Sequence, residues 1–148
     1  MKSKLIEARV KQSEILASCS NCPRGKFGAL VYDTNTNVLL VDGYNGAPRG
    51  AGKLCGGDVC VRNELKIPSG ERTEIGCHHA EMNAICNAAR HGIKLDGATM
   101  IVNGEPCLMC AKMIHHAGIK RVLFKKGGYT TNIGISYLND NNVKTESN

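Results

Sequence analysis

Two short stretches of this chain carry residue types and spacings that can do chemistry. Cys77-His78-His79-Ala80-Glu81-Met82-Asn83-Ala84 supplies an imidazole and, two residues on, a carboxylate. Pro106-Cys107-Leu108-Met109-Cys110 supplies two thiols three residues apart behind a proline. His79, Cys107 and Cys110 make three metal ligands, and a tetrahedral zinc with three protein ligands keeps its fourth position for water. Glu81, a carboxylate outside the ligand set, is placed to move that water's protons. Cys-x-x-Cys alone also occurs in redox and structural zinc sites. It is the order H-x-E and then P-C-x-x-C, with Glu81 and Cys107 26 residues apart, that points to hydrolytic attack on an amidine-like ring carbon.

The elements around these stretches are predicted to bring them together. A helix over 79–91 is followed by a strand over 98–103, and each runs roughly 20 Å at 1.5 and 3.3 Å per residue. The next helix, over 107–117, therefore starts beside the start of the first. Its Cys107 and Cys110 share one face at a helix N-terminus, where the dipole lowers a thiol pKa. Met82, Ile85, Cys86 and Ala89 are expected to form the apolar stripe of the 79–91 helix, with Cys86 in the core and Gly92 as the stop. Cys107, Cys110, Met113, Ile114 and Ala117 are expected on the inner face of the second helix.

Upstream, 3–18 reads as a helix with Ile6, Val10 and Ala17 on one face. Pro23 and Gly25 make 19–26 a loop, and 27–32 and 38–44 read as a hairpin across the turn residues 33–37. The glycine-rich 43–50 leaves that hairpin as an irregular segment able to approach a ligand closely. Residues 51–76 read as loop with a short helix near 59–65, long enough to need pinning by something such as a metal. Downstream come a strand over 119–124, a short helix over 133–139, an edge strand over 143–145 and a frayed tail over 145–148. Helix, strand, helix, strand implies a mixed sheet with right-handed crossovers in a single domain, 1–148.

Composition narrows the partners. A net charge of +6 suits an anionic ligand, either a nucleotide or a polymer. Aromatics make up 4% and Trp is absent, too few to stack successive single-stranded bases, so a small phosphorylated substrate is favoured over a stable nucleic-acid partner. No apolar run approaches a membrane span, and the start lacks a signal-peptide core, so a cytoplasmic setting is expected. In a reducing compartment, eight Cys argue for metal ligands over disulfides.

Residues 22–137 resemble the prokaryotic and phage deoxycytidylate (dCMP) deaminases of the cytidine deaminase-like superfamily. The matching words are Gly28-Ala29-Leu30-Val31, the Gly43-Tyr44-Asn45-Gly46-Ala47-Pro48-Arg49-Gly50 loop, Ser69-Gly70-Glu71-Arg72, His79-Ala80-Glu81-Met82-Asn83-Ala84-Ile85, Pro106-Cys107-x-x-Cys110-Ala111-Lys112 and Ala117-Gly118-Ile119-Lys120. The resemblance implies a three-layer α/β fold, a mixed five-stranded sheet flanked by helices, assembled as a homo-oligomer, often a hexamer. It implies hydrolysis of dCMP to dUMP and ammonia for thymidylate synthesis, with activation by dCTP, Mg2+ accompanying that triphosphate, and inhibition by dTTP. By the same resemblance His79, Cys107 and Cys110 hold the catalytic zinc and Glu81 shuttles the proton. Asn45 and Tyr129 contact substrate, and Arg24 and Lys26 are candidates for its phosphate. Gly43, Arg49 and Arg90 are candidates for an effector site or an interface. Each of these cations taken alone reads more readily as a solvated surface charge. Cys22, Cys55, Cys60 and Cys77 are the set for a second, structural zinc, with Cys19, Cys86 and His78 as spares. The chain departs from the pattern at Asn103-Gly104-Glu105, where relatives often carry Thr and a large apolar residue. The competing readings are a deaminase of CMP, cytidine, tRNA adenosine or a pterin or riboflavin precursor, and, from another class, a non-catalytic zinc module that binds nucleic acid or a protein partner.

Overall fold

The computed structural model describes residues 3–51, 59–71, 73–127 and 132–148. Among these residues a five-stranded sheet runs in the order β2-β1-β3-β4-β5. Its strands are β1 (Gly28–Tyr32), β2 (Leu39–Tyr44), β3 (Thr99–Val102), β4 (Arg121–Phe124) and β5 (Lys144–Ser147). β1 pairs antiparallel with β2 and with β3, whereas β3–β4 and β4–β5 are parallel. The helices are α1 (Lys4–Ala17), α2 (Val61–Glu64), α3 (Ala80–His91), α4 (Leu108–His116) and α5 (Ile133–Asp140). No helix among the described residues is long and apolar enough to cross a membrane.

The period of two along the strands divides the core into two layers. Ala29, Val31, Met100, Val102, Val122 and Phe124 face α3, α4 and α5 in the main cluster. Tyr32, Ile101 and Leu123 face the other way, under Ile6 and Val10 of α1. β1 and β3 are therefore buried throughout, in the three-layer arrangement that the family resemblance implies.

Local signals set most of the boundaries. Ser3 caps α1 through its hydroxyl, which accepts from the Ile6 N–H. Gly92 closes α3 at φ 66°, the left-handed conformation glycine adopts without Cβ strain. The tail differs from expectation. Instead of fraying after 145, residues 144–147 pair with β4, and the Asn148 N–H donates to the Phe124 carbonyl at 2.8 Å. Val143, buried, anchors that edge, and the polar sequence beyond it suits a strand with one side in water.

The face of α3 also differs. Ala80, Ala84 and Ala88 are buried, together with Glu81, whereas Cys86 and Ala89 are exposed and Met82 and Ile85 half-buried. The reason is size. A helix lined by alanine at every fourth position can close on a strand backbone, and the larger residues are left to the flank. On α4 the buried set is Cys110, Ala111 and Ile114, with Met113 and Ala117 half-buried. Because Cys86 is outside the core, Cys86→Ser is expected to shift unfolding free energy by less than about 0.5 kcal/mol, as at other surface positions. Chemical denaturation checks this, and a loss above about 1 kcal/mol would return Cys86 to the interior.

Candidate active site

The carboxyl ends of β2, β3 and β4 lie along one edge of the sheet, the place where open α/β sheets bind ligands. α3 and α4 both begin there, and their N-cap residues are His79 and Cys107. His79 Nδ1 stands 3.4 Å from Cys107 Sγ and 3.5 Å from Cys110 Sγ. The Cys107 sulfur also accepts the Cys110 N–H at 3.4 Å, so the helix start itself orients one thiol. Among the described residues these three form the one cluster of potential metal ligands, with all ligand atoms within 4.8 Å of one another. Two donors on one tetrahedral zinc, at bond lengths near 2.05 Å (N) and 2.3 Å (S), stand about 3.5 Å apart, so the observed separations fit that ion.

The protonation of the cluster fits as well. Cys107 is held down to about 4, chiefly because the Cys110 thiol donates a hydrogen bond to its sulfur, with His79 adding to the effect against the cost of burial. Cys110, the donor in that bond and itself buried, is pushed up. His79 is raised above the usual imidazole range, first by its hydrogen bond to Cys107. The protons held between these groups occupy the place a soft cation would take.

Glu81 is 5% exposed and near enough to Cys110 for its charge to help hold that thiol protonated. Burial raises its pKa, with the charge of His79 opposing. A carboxyl brought toward neutrality beside a metal site has the character of a proton shuttle.

The glycine-rich loop is docked onto this cluster. Gly46 and His78 form a two-way antiparallel bridge, N–H to O at 3.1 and 3.0 Å. Asn45 is buried. Its Oδ1 accepts the Phe27 N–H at 2.8 Å and its Nδ2 donates to the Gly25 carbonyl at 2.9 Å. Asn103, at the departure from the family pattern, does the same one step along, accepting from Gly28 N at 2.7 Å and donating to Lys26 O at 3.3 Å. Two asparagine amides thus hold the 25–28 turn. Gly104 completes the fit, since a Cβ there would stand 2.7 Å from the Phe27 ring.

The other expected site residues are dispersed. Arg24 donates to Asn63 Oδ1 at 2.6 Å and to the Ile67 carbonyl, which makes it a strut between the 22–24 loop and α2. Lys26 and Arg49 are exposed. Arg90 sits in the last turn of α3, at the far end from His79. At Gly43 a Cβ would lie 2.4 Å from Ala84 N and 2.8 Å from Ala80 O, so it is the point where β2 touches α3. Cys22 and Cys60 are free thiols, Cys77 is disulfide-bonded, and Cys55 and Tyr129 lie outside the described residues. Arg62, which the sequence reading passed over, adds its positive charge to the field at His79. Nothing in its local sequence signals that role.

The model of the cytidine and deoxycytidylate deaminase zinc-binding region matches residues 3–126, and the chain belongs to that family. ComE operon protein 2 of Bacillus subtilis is 38% identical over 113 residues, covering 76% of this chain but only 54% of that protein's length. The deoxycytidylate deaminase of Mycobacterium phage D29 is 37% identical over 116 residues, covering 74% of this chain and 85% of the phage protein. The crystal structure of the dCMP deaminase from cyanophage S-TIM5 in complex with dCMP and dUMP superposes with a TM-score of 0.80 at 31% identity, over 100% of this chain and 99% of that one.

Proposed function

We propose that this chain catalyses the zinc-dependent hydrolysis of dCMP to dUMP and ammonia. The observation that carries the reading is the meeting of His79, Cys107 and Cys110 at two helix starts with the buried Glu81 beside them. The family membership and the dCMP- and dUMP-bound cyanophage relative support it. His79 Nδ1 and the two sulfurs would hold the metal. Zinc, when bound, acts as a Lewis acid that lowers the pKa of a coordinated water from about 15.7 toward 7. Glu81 takes one proton from the attacking water and delivers it to the ring nitrogen beside the reacting carbon; it then takes the second proton from the new hydroxyl on that carbon, which becomes a carbonyl, and passes it to the departing amine. The low exposure of Glu81 keeps bulk water from competing for that proton. The loop over 43–50, pinned at Gly46, forms the wall against which the nucleotide lies. The two loop bonds of the Asn45 amide use one of its two N–H donors and one of its two oxygen lone pairs, so a substrate contact does not require it to give up a loop partner.

A spectroscopic deamination assay on dCMP, CMP, deoxycytidine and dCTP tests the reading. We expect dCMP to be turned over fastest, a chelator to abolish turnover, and added zinc to restore it. Zinc-loaded protein that releases no ammonia from dCMP would overturn it.

The resemblance extends the proposal to a cytoplasmic enzyme that supplies dUMP, assembles as a homo-oligomer and responds to dCTP and dTTP. Repeating the assay with each triphosphate and Mg2+ tests the regulation. A closed structural zinc on Cys22, Cys55, Cys60 and Cys77 belongs to the same proposal. A sulfur in a disulfide is not a thiolate ligand, so this site requires Cys77 reduced. Two zinc ions per chain in protein kept under a dithiol reductant would support it, and one would count against it.

A further inference from the structure

The side chain that joins the loop over 43–50 to the catalytic helix is Asn83. It lies in the first turn of α3, where its N–H donates to the His79 carbonyl at 3.0 Å. Its Nδ2 donates to the Tyr44 carbonyl at 2.8 Å and to the Gly46 carbonyl at 3.3 Å. Its Oδ1 faces His78 Nδ1 at 3.1 Å. One amide thus holds both sides of the Gly46–His78 bridge. Ser20 Oγ donates to the Asn45 carbonyl at 2.8 Å, so three consecutive carbonyls of the turn are each fixed by a side chain. One turn further along α3, Asn87 Nδ2 donates to the Asp42 carbonyl at 2.9 Å. The pair at i and i+4 lies along the outer edge of β2, but only Asn83 reaches the loop and the residue preceding His79.

We infer that Asn83 is a positioning residue: it registers the substrate-facing loop against the helix start that carries His79 and Glu81, and so sets where the nucleotide sits relative to the reacting groups. The inference rests on the proposed deamination for its kinetic consequence, but not for its structural one. Asn83→Asp removes the two donor bonds while favouring the helix start through its charge, so α3 itself is not weakened. Asn83→Ala removes all three contacts without adding charge. Asn87→Ala removes a comparable bond to β2 and leaves the loop alone.

Hydrogen exchange at the Gly46 and His78 amides and steady-state kinetics on dCMP form the test, with zinc content measured for each variant. Both Asn83 variants are expected to retain zinc and to lose protection at those two amides by about tenfold or more, the scale of one or two hydrogen bonds. Both are also expected to raise KM about tenfold with kcat within about threefold, the pattern of lost binding rather than lost chemistry. Asn87→Ala is expected to leave KM and both amides unchanged. Unchanged protection in both Asn83 variants, or an equal rise of KM in Asn87→Ala, would overturn the inference. Should the wild type release no ammonia from dCMP, the proposed reaction fails by itself, and the exchange measurement still decides whether Asn83 holds the loop.

Discussion

Glu81→Gln is expected to leave the fold and the zinc content intact and to lower kcat about 10³–10⁴-fold, toward the upper end of what a positioned acid–base group contributes. The amide matches the carboxyl in shape, so the two sulfurs and His79 Nδ1 keep their separations. What it lacks is a titratable proton. In the proposed reaction one group must carry the two protons of the water in turn, the first to the ring nitrogen and the second to the departing amine, and Glu81 is a buried carboxyl beside the cluster. Burial raises its pKa, so ionising it costs folding free energy that a neutral amide does not incur. The thermal midpoint of the variant is therefore expected to hold or rise while turnover collapses, a separation that a merely structural residue would not produce. Metal analysis, a melting curve and the dCMP assay on one preparation check all three. Turnover within tenfold of wild type would remove Glu81 from the mechanism.

The zinc cluster was legible because its parts are local. The spacing of Cys107 and Cys110 is a property of one helix start, and His79 reaches them because a helix and a returning strand of similar length separate the two stretches. β1, β3 and β4 were legible for the same reason, as short apolar runs between turn residues, but which of their residues face which layer was not, because both faces are buried. The contacts that shape the loop were not. Asn83 meets the carbonyl of Tyr44, 39 positions away, and Asn103 meets Lys26, 77 positions away. A side chain that bonds to distant backbone leaves no periodicity behind. Arg24 shows the same limit: its charge suggested phosphate, and nothing local signalled that its Nε and Nη2 reach Asn63 Oδ1 and the Ile67 carbonyl. The stripe on α3 was misplaced because counting apolar residues rewards bulk, whereas close approach of helix to strand rewards its absence.

That close approach gives the second large effect, at Gly43. Gly43→Ala places a methyl 2.4 Å from Ala84 N, 2.8 Å from Ala80 O and 2.9 Å from Ala84 Cα, all backbone atoms of α3. A flexible side chain could swing aside; a helix backbone cannot, and this helix carries His79 at its cap and Glu81 in its first turn. The clash is relieved only by moving α3 off β2, which loosens the contact of Ala80 and Ala84 with the sheet and shifts the metal ligands together. Overpacking of this kind costs about 2–3 kcal/mol. In a chain of this size that corresponds to a fall in thermal midpoint of roughly 6–10 °C. Gly46→Ala, three residues on, is the control. Its added methyl meets nothing within 4 Å and its φ is not in the left-handed region, so its stability is expected to change by less than about 0.5 kcal/mol. Equal midpoints for the two variants would mean that β2 and α3 are not in backbone contact at Gly43, and the placement of the catalytic helix against the sheet would need another explanation.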